Sequence, residues 1–420
     1  MSKFHLVKAE RGVKLKFMQS IHTYHRHKIW QIFHTDFWHF DLSIWLHVLA
    51  RSLINVFVPI LLLQIGYELK TVILYMMVFI GLSVPLDFVS HSLIKRLGAK
   101  NVLILAVVSI ICSFVGLYLL KVDQFLLLFV MAFLMAVYDA FFWTSHLYLF
   151  EKINQKVEKI GEQTGILFAV KNLATMIGPA IGGSVLIVGG PHILIFSSIV
   201  VFSVSLIPLF QMKEIHDKPG LEEPLFRNFF KQAEEKINYL GVALFGVLQS
   251  AELYVWPVFI YLYFNNISSV AMVSVILSVT TIISSYFFGK AAKRDPNKLI
   301  ALGALLAAIV WILRMIISTG FFYFASVFLM GVAILMMSVA LLTRLFNRGR
   351  EIGPLTAMTM RNAISMGGQF IFWLILALFV DVFGIGFIVA TVAAIALIIS
   401  SLAGVRLLRE KASQPVPEAH

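Results

Sequence analysis

Twelve apolar runs alternate with short polar connections along the chain. Each run is close to the length of about 20 apolar residues that an α-helix needs to cross a bilayer. The runs occupy residues 42–65, 71–93, 101–120, 124–150, 164–188, 191–211, 238–264, 268–289, 299–318, 321–343, 355–380 and 385–406. The pattern predicts an all-α integral membrane protein with twelve transmembrane helices.

Composition and charge support this prediction. Of the 420 residues, 60% are hydrophobic and 13% are charged, whereas about 25% of the residues in a soluble domain are charged. The net charge of +12 could indicate a nucleic acid partner, but 28 of the 34 Lys and Arg residues lie in the tails and in alternate connections. That placement orients a membrane protein. We therefore expect no nucleic acid partner and place both termini on the cytoplasmic side of the cytoplasmic (inner) membrane.

The two halves of the chain resemble each other in sequence. The segment FVPILLL, with Pro59, matches VWPVFIYL, with Pro257, at an offset of 198 residues. VKNLATMIG matches MRNAISMGG in the fifth run of each half, so that Lys171 corresponds to Arg361. A duplicated six-helix unit predicts two pseudo-symmetric six-helix bundles around a site near the middle of the membrane.

The connections divide the chain into five parts. In order, they are a basic, His-rich segment at 1–41, an N-terminal bundle at 42–211, a cytoplasmic linker at 212–237, a C-terminal bundle at 238–411 and a tail at 412–420. The first segment and the linker are predicted to place amphipathic helices on the membrane surface. Histidine is a common metal ligand, but the helical spacing explains the first segment without metal. We predict no metal site and no cofactor.

The twelve runs in two halves and a basic loop after the second run resemble the major facilitator superfamily over nearly the whole chain. The loop reads HSLIKRLGAKNVL, with His91 and Lys95 where the family has Gly and Asp. The resemblance implies a transporter that moves a small solute by alternating access and acts as a monomer. It also implies a gating role for Asp87, Lys95 and Arg96. The sequence has none of the catalytic motifs H-E-x-x-H, G-x-S-x-G or a P-loop, so we do not expect an enzyme.

The fifth run carries an unusual set of small residues, GILFAVKNLATMIGPAIGG, at residues 165–183. Small residues on one helix face let a neighbouring backbone approach closely, and a proline permits a bend. The stretch resembles the antiporter motif of drug:proton exporters, which implies proton-coupled export. A packing kink unrelated to transport direction is the alternative. We assign a conformational or gating role to Gly165, Lys171, Gly178, Pro179, Gly182 and Gly183.

Asp139 is predicted to carry the coupling proton, because a carboxyl in mid-span can change its charge state near neutral pH. Its expected partners are Arg51 on the first span and His146, two turns along the same helix. The alternative is that Asp139 and Arg51 form a purely structural ion pair.

The resemblance places spans 1, 4 and 7 around a central cavity, to which span 11 contributes. The solute-binding candidates on these spans are Asn55, Trp143, Gln249, Glu252, Trp256, Arg361 and Gln369. The two tryptophans could stack on a flat or cationic solute. Arg314, near the outer end of span 9, is expected to face lipid and to extend its guanidinium to the interface.

Two further functions remain open. Arg51, Lys171 and Arg361 outnumber the acids of the predicted cavity, which favours an uptake symporter or a uniporter for a small anion. A membrane receptor or scaffold that transports nothing is the alternative from another class, although the chain has no long soluble segment.

The positive-inside pattern predicts which side of the membrane each connection faces. Single cysteines at Ser2, Gln232 and Asn266, in a Cys112→Ser background, should be labelled by an impermeant thiol reagent from opposite sides. We expect the first two to react from the cytoplasmic side and the third from outside. Labelling of the cysteine at Asn266 from the cytoplasmic side would contradict the twelve-span topology.

Overall fold

The computed structural model describes residues 36–155, 160–213 and 233–413. Within these ranges every regular element is helical. The N-terminal half contains α1 (Asp36–Ile54), α2 (Val58–Ile65), α3 (Leu69–Leu97), α4 (Ala99–Leu119), α5 (Phe125–Gln155) and α6 (Ile160–Gln211). The C-terminal half contains α7 (Ala233–Ser250), a π-helical turn (Ala251–Val255), α8 (Trp256–Phe264), α9 (Ile267–Arg294), α10 (Pro296–Ile316), α11 (Gly320–Ile352), α12 (Pro354–Leu378) and α13 (Val382–Ser413).

Helices lie at all twelve of the predicted positions. By length and composition, 10 helices in the described ranges could cross a membrane, and a shorter apolar helix covers Ile267–Thr280. The long helix α6 contains the fifth and sixth apolar runs, which are separated by a kink at Gly190 with φ of 78°. Only glycine adopts that backbone conformation without strain. The predicted surface helices and most of the linker lie outside the described residues.

Both halves interrupt their first span just before a proline. In span 1, α1 ends at Ile54 and α2 begins at Val58, with Pro59 in its first turn. In span 7 the backbone N–H of Trp256 donates to the carbonyl of Ala251, five residues back, and Pro257 follows. Proline has no N–H to donate, and its ring clashes with the carbonyl four residues earlier. The same local cause therefore breaks the helix in both halves.

The helices pack as two bundles that meet along two matching seams. Within the N-terminal half, α1 packs on α6, and α5 packs on α3 and α4. Within the C-terminal half, α12 packs on α7, and α10 packs on α11 and α13. Between the halves, α3 (span 2) packs on α12 (span 11), and α6 packs on α9 (span 8). These contacts form the two pseudo-symmetric bundles of the major facilitator fold.

Glycines of span 5 permit backbone-to-backbone contact with span 1. A Cβ atom at Gly182 would collide with the carbonyl oxygen of Leu53, and one at Gly178 would collide with Ser52. In the C-terminal half, a Cβ atom at Gly368 would collide with the backbone of Ala243 on α7. The prediction that small residues admit a neighbouring backbone is therefore confirmed. In both halves, therefore, the fifth span contacts the backbone of the first span of the same half.

This packing predicts different effects for two glycine-to-alanine changes. Gly182→Ala should lower the thermal unfolding temperature, because the new methyl group overlaps the Leu53 carbonyl. Gly367→Ala is the matched control, since nothing lies within 4 Å of its Cβ position. It should be neutral or stabilising, because alanine favours a helix over glycine by about 1 kcal/mol. Unfolding of both variants in detergent, followed by size-exclusion chromatography, checks this. Equal unfolding temperatures would contradict the packing.

Candidate functional site

A charged pair lies between α1 and α5, near the middle of both spans. Arg51 Nη2 is 3.6 Å from Asp139 Oδ1, and the two side chains are 20% and 2% exposed. Span 1 and span 4 therefore meet at a buried carboxylate that is covered by a partly exposed guanidinium. The predicted pairing of Arg51 with Asp139 is confirmed, and its role in proton coupling stays a prediction.

Aromatic rings surround this pair on the N-terminal side. The guanidinium carbon of Arg51 lies 5.5 Å from the ring centre of Tyr138 and 5.4 Å from that of Trp143. His47 Nε2 is 2.8 Å from the Tyr138 hydroxyl, and its ring stacks on Phe142 at 4.0 Å. Rings at these distances can stabilise a cation. They also limit the positions that Arg51 can take.

His146 lies further along α5 in the same aromatic layer. Its ring stacks on Phe142 at 5.4 Å and on Phe40 at 5.8 Å. The seven residues from Asp139 to His146 place the two side chains on one helix face, about 10 Å apart along the axis. The role of His146 as a partner of Asp139 in proton coupling stays a prediction.

Two residues of the C-terminal half complete the polar centre. Tyr254, in the π-helical turn, interacts with Arg51. Arg361 attracts Asp139 and Asp87 electrostatically. Among the described residues, Arg361 has no ion pair and no hydrogen bond. A small pocket beside the centre is lined by Asn55, Val58, Pro59, Tyr75, Met76, Phe79, Met135 and Tyr254.

A hydrogen bond joins the two halves where α3 packs on α12. Asn362 Nδ2 donates to Asp87 Oδ1 at 2.6 Å, and both residues are buried. Lys95 and Arg96 lie in the last turn of α3, where Lys95 is half-buried and Arg96 is exposed. Of the three gating candidates Asp87, Lys95 and Arg96, Asp87 therefore lies directly between the halves.

The polar atoms of Gln369 are engaged within the C-terminal half. Ser250 donates to Gln369 Oε1 at 2.9 Å, and Gln369 Nε2 donates to Ser365 at 3.4 Å. Trp373 Nε1 donates to Ser250 at 3.3 Å. Gln369 is therefore a link between α12 and α7, and Gln249 is half-buried at the end of α7.

The expectation that Arg314 faces lipid is wrong. Arg314 is buried, and its Nη1 and Nη2 donate to the Glu252 carboxylate at 2.5 and 3.0 Å. Trp256 packs against Trp311, Tyr323 and Phe387 of spans 9, 10 and 12. Glu252 and Trp256, which were predicted to bind solute, are buried inside the C-terminal bundle, and their role in solute binding stays a prediction. Helix α10 turns its Arg314 face inward because the Glu252 carboxylate is there to pair with it.

Sequence reasoning missed Tyr254, Asn362 and Tyr138. Tyr254 is two residues from Glu252, so the two side chains point to nearly opposite sides of span 7. Choosing the Glu252 face as the cavity face therefore excluded Tyr254. Asn362 could have been found, because it follows Arg361 in the repeated segment. Tyr138 gave no signal beyond its position next to Asp139.

Two of the predicted regions, the start of span 5 and the His-rich segment, include residues that the structure does not describe. The surroundings of Gly165 and the side chain of Lys171 lie outside the described residues, and so does the segment before residue 36. In the ranges that the structure describes, Pro179 is buried, and a Cβ atom at Gly183 would collide with Ala271 of α9. The same ranges hold no group of three or more metal-ligating side chains.

Comparisons with known proteins agree with this architecture. A family model of the Major Facilitator Superfamily matches residues 40–248. No curated protein matches the chain.

Solved structures match nearly the whole chain in fold. One is a POT family transporter in complex with a thioalcohol-conjugated peptide, at a TM-score of 0.70 and 12% identity, covering 90% of this chain and 96% of that one. Another is the peptide transporter POT in complex with sulfate, at a TM-score of 0.67 and 11% identity, covering 89% and 94%. The family model covers 209 of the 420 residues, and the solved structures show that the chain has their fold.

Proposed function

We propose that this chain, with its major facilitator fold, is a proton-linked secondary transporter that moves a small solute between its two halves by alternating access. The observation that carries the proposal is the Arg51–Asp139 pair, which lies in mid-span next to Tyr254 of the other half. Charges at that depth are costly and mark solute and proton pathways in membrane proteins.

Asp139 is the proton carrier in this proposal. The ionised carboxylate attracts Arg51, whereas the protonated carboxyl has no charge and releases the guanidinium to other partners. Because Arg51 also interacts with Tyr254, a change of charge on Asp139 alters a contact between the halves. His146 then relays the proton toward the cytoplasmic end of α5. This linkage gives each access state its own protonation state.

The hydrogen bond between Asp87 and Asn362 is the gate in this proposal. It joins α3 to α12, so the halves cannot separate at that end while it holds. Lys95 and Arg96, at the end of α3, and the span-5 residues Gly165, Lys171, Gly178, Pro179, Gly182 and Gly183 complete the moving parts. Close packing of span 5 on span 1 makes the two helices shift together.

The solute site lies beside the charged pair. Asn55 and Tyr254 line the small pocket, Trp143 covers Arg51, and Arg361 lies across from Asp139 in the other half. This setting suits a small solute with a flat or apolar body and one polar group. Because the two similar structures hold a peptide or sulfate, both belong in the solute panel.

The direction of transport distinguishes two candidates. The span-5 resemblance supports proton-coupled export. Uptake of a small anion together with protons is the second candidate, and the absence of an ion pair for Arg361 among the described residues favours it. The sign of the proton movement when solute is added to proteoliposomes separates the two. Protons that move against the solute support export, and protons that move with it support symport.

Asp139→Asn should uncouple transport without abolishing it. Asparagine keeps the size of the side chain but cannot ionise, so solute exchange should continue while accumulation driven by a pH gradient is lost. The measurement is uptake of labelled solute into proteoliposomes, with and without an imposed gradient, over peptides, sulfate, organic anions and organic cations.

Asp123→Asn is the matched control for this measurement. Asp123 is exposed in a loop with φ of 69°, a conformation that asparagine also adopts. It should accumulate solute like the parent protein. If Asp139→Asn accumulates solute to the wild-type level, Asp139 is only a structural partner of Arg51. If the parent protein shows no flux with any solute class, the proposal that it is a transporter is contradicted.

Arg361→Gln tests the anion candidate. If Arg361 binds an anionic group, the variant should weaken binding of that solute by about tenfold or more, the usual value of a hydrogen bond to a charged group. Arg361→Lys keeps the charge and should retain most of the affinity. Isothermal titration of the purified variants with the anions that drive flux measures this. Equal affinities for all three proteins would remove Arg361 from the site.

A further inference from the structure

A second ion pair, Glu252 with Arg314, is sealed inside the C-terminal half behind the central site. Both side chains are 0% exposed. The guanidinium donates two hydrogen bonds to the carboxylate, one to each oxygen, and its Nε donates a third to Ser326 at 2.8 Å. Its carbon lies 3.6 Å from the ring centre of Trp256 and 4.6 Å from that of Trp311. These contacts fix the orientation of the pair as well as its position.

The fold does not require a charge at these two positions. At the repeat offset of 198 residues, Ile54 corresponds to Glu252 and Gly116 corresponds to Arg314. The N-terminal half therefore builds the same part of its bundle from uncharged residues. Replacing a buried ion pair by apolar residues is often neutral or stabilising. The pair consequently needs an explanation other than stability.

The pair holds one side of the π-helical turn. Glu252 is the second residue of the turn Ala251–Val255. A π-helical turn is rare, is wider than the helix around it, and is frequent at functional sites. Through Glu252, the turn is attached to Arg314 on α10 and to Ser326 on α11.

The opposite side of the same turn faces the central site. Tyr254 is two residues after Glu252 and therefore lies on nearly the opposite side of the turn. It interacts with Arg51 and lines the small pocket together with Asn55 and Tyr75. One five-residue turn thus carries a buried anchor on one side and a site residue on the other.

We propose that Glu252 and Arg314 are a positioning pair that holds the π-helical turn in place and thereby keeps Tyr254 beside Asn55 of span 1 in the small pocket. Neither side chain touches the solute or the coupling proton. The consequence for transport rests on the proposed function, whereas the placement of Tyr254 can be measured without any solute.

The test measures how close the turn lies to span 1. Cysteines replace Asn55 and Tyr254, which line the same pocket, in a Cys112→Ser background. A short bifunctional methanethiosulfonate crosslinks them in proteoliposomes, and mass spectrometry gives the rate. Adding Glu252→Gln should slow crosslinking by about tenfold, within the range measured for residues that couple two sites.

Ser401→Ala is the matched control. Ser401 donates to the carbonyl of Asn297 at 2.6 Å, a buried hydrogen bond between α13 and α10 that does not involve span 7. The control should crosslink at the parental rate even if its unfolding temperature falls. Arg314→Lys keeps the charge but cannot make the bidentate hydrogen bonds to the carboxylate. Its crosslinking rate should therefore lie between the parental rate and that of Glu252→Gln.

The outcomes separate positioning from stability and from transport. A folded Glu252→Gln protein that crosslinks at the parental rate would overturn the proposal. If Glu252→Gln does not yield a monodisperse protein, Arg314→Lys decides, because a parental rate in that variant overturns the proposal and a slower one supports it. A parent protein without solute flux would contradict the proposed function and leave the crosslinking result unaffected.

Discussion

A charge inside a bilayer must be paired or must face water, and the arrangement of this protein depends on that constraint. An unpaired charge at mid-span costs about 2.5–3.5 kcal/mol on insertion scales. Arg51 and Asp139 meet the constraint at the space between the halves, where the arginine is 20% exposed. Glu252 and Arg314 meet it in a sealed interior, where both are 0% exposed. In the proposed mechanism, the first pair is therefore the one that exchanges partners with a solute or a proton.

The sequence predicted those features that one helix encodes by itself. Apolar length fixed the positions of the helices, and Pro59 and Pro257 broke span 1 and span 7 because a proline acts on its own backbone. Gly178 and Gly182 could be assigned to a close contact from their spacing alone. The repeat supported these predictions, because the same signals recur in the second half.

The side chains that face the centre were harder to predict, because a helix that is apolar all round does not show which face points inward. Arg314 lies near a helix end, where a long side chain can reach the interface, so lipid exposure was a reasonable expectation. Its partner is 62 residues away in sequence. Without that partner, the Glu252 face of span 7 resembled a cavity wall, and Tyr254 on the other face was overlooked. One missing long-range contact therefore accounts for the wrong expectation for Arg314 and for the omission of Tyr254.

The two halves repeat the fold but not the charges. Arg51 corresponds to Gln249 at the offset of 198 residues, and Asp139 corresponds to Ile334 at the offset of 195 given by FLMAV and FLMGV. The N-terminal half thus places its ion pair at the centre, and the C-terminal half places its own pair behind the π-helical turn. Charged pairs at equivalent positions would give the two halves the same role. The different positions of these two pairs therefore favour different roles for the two halves. In the proposed mechanism, the N-terminal half supplies Asp139, the group that changes its charge, and the C-terminal half supplies Tyr254 and Arg361, which respond to that change.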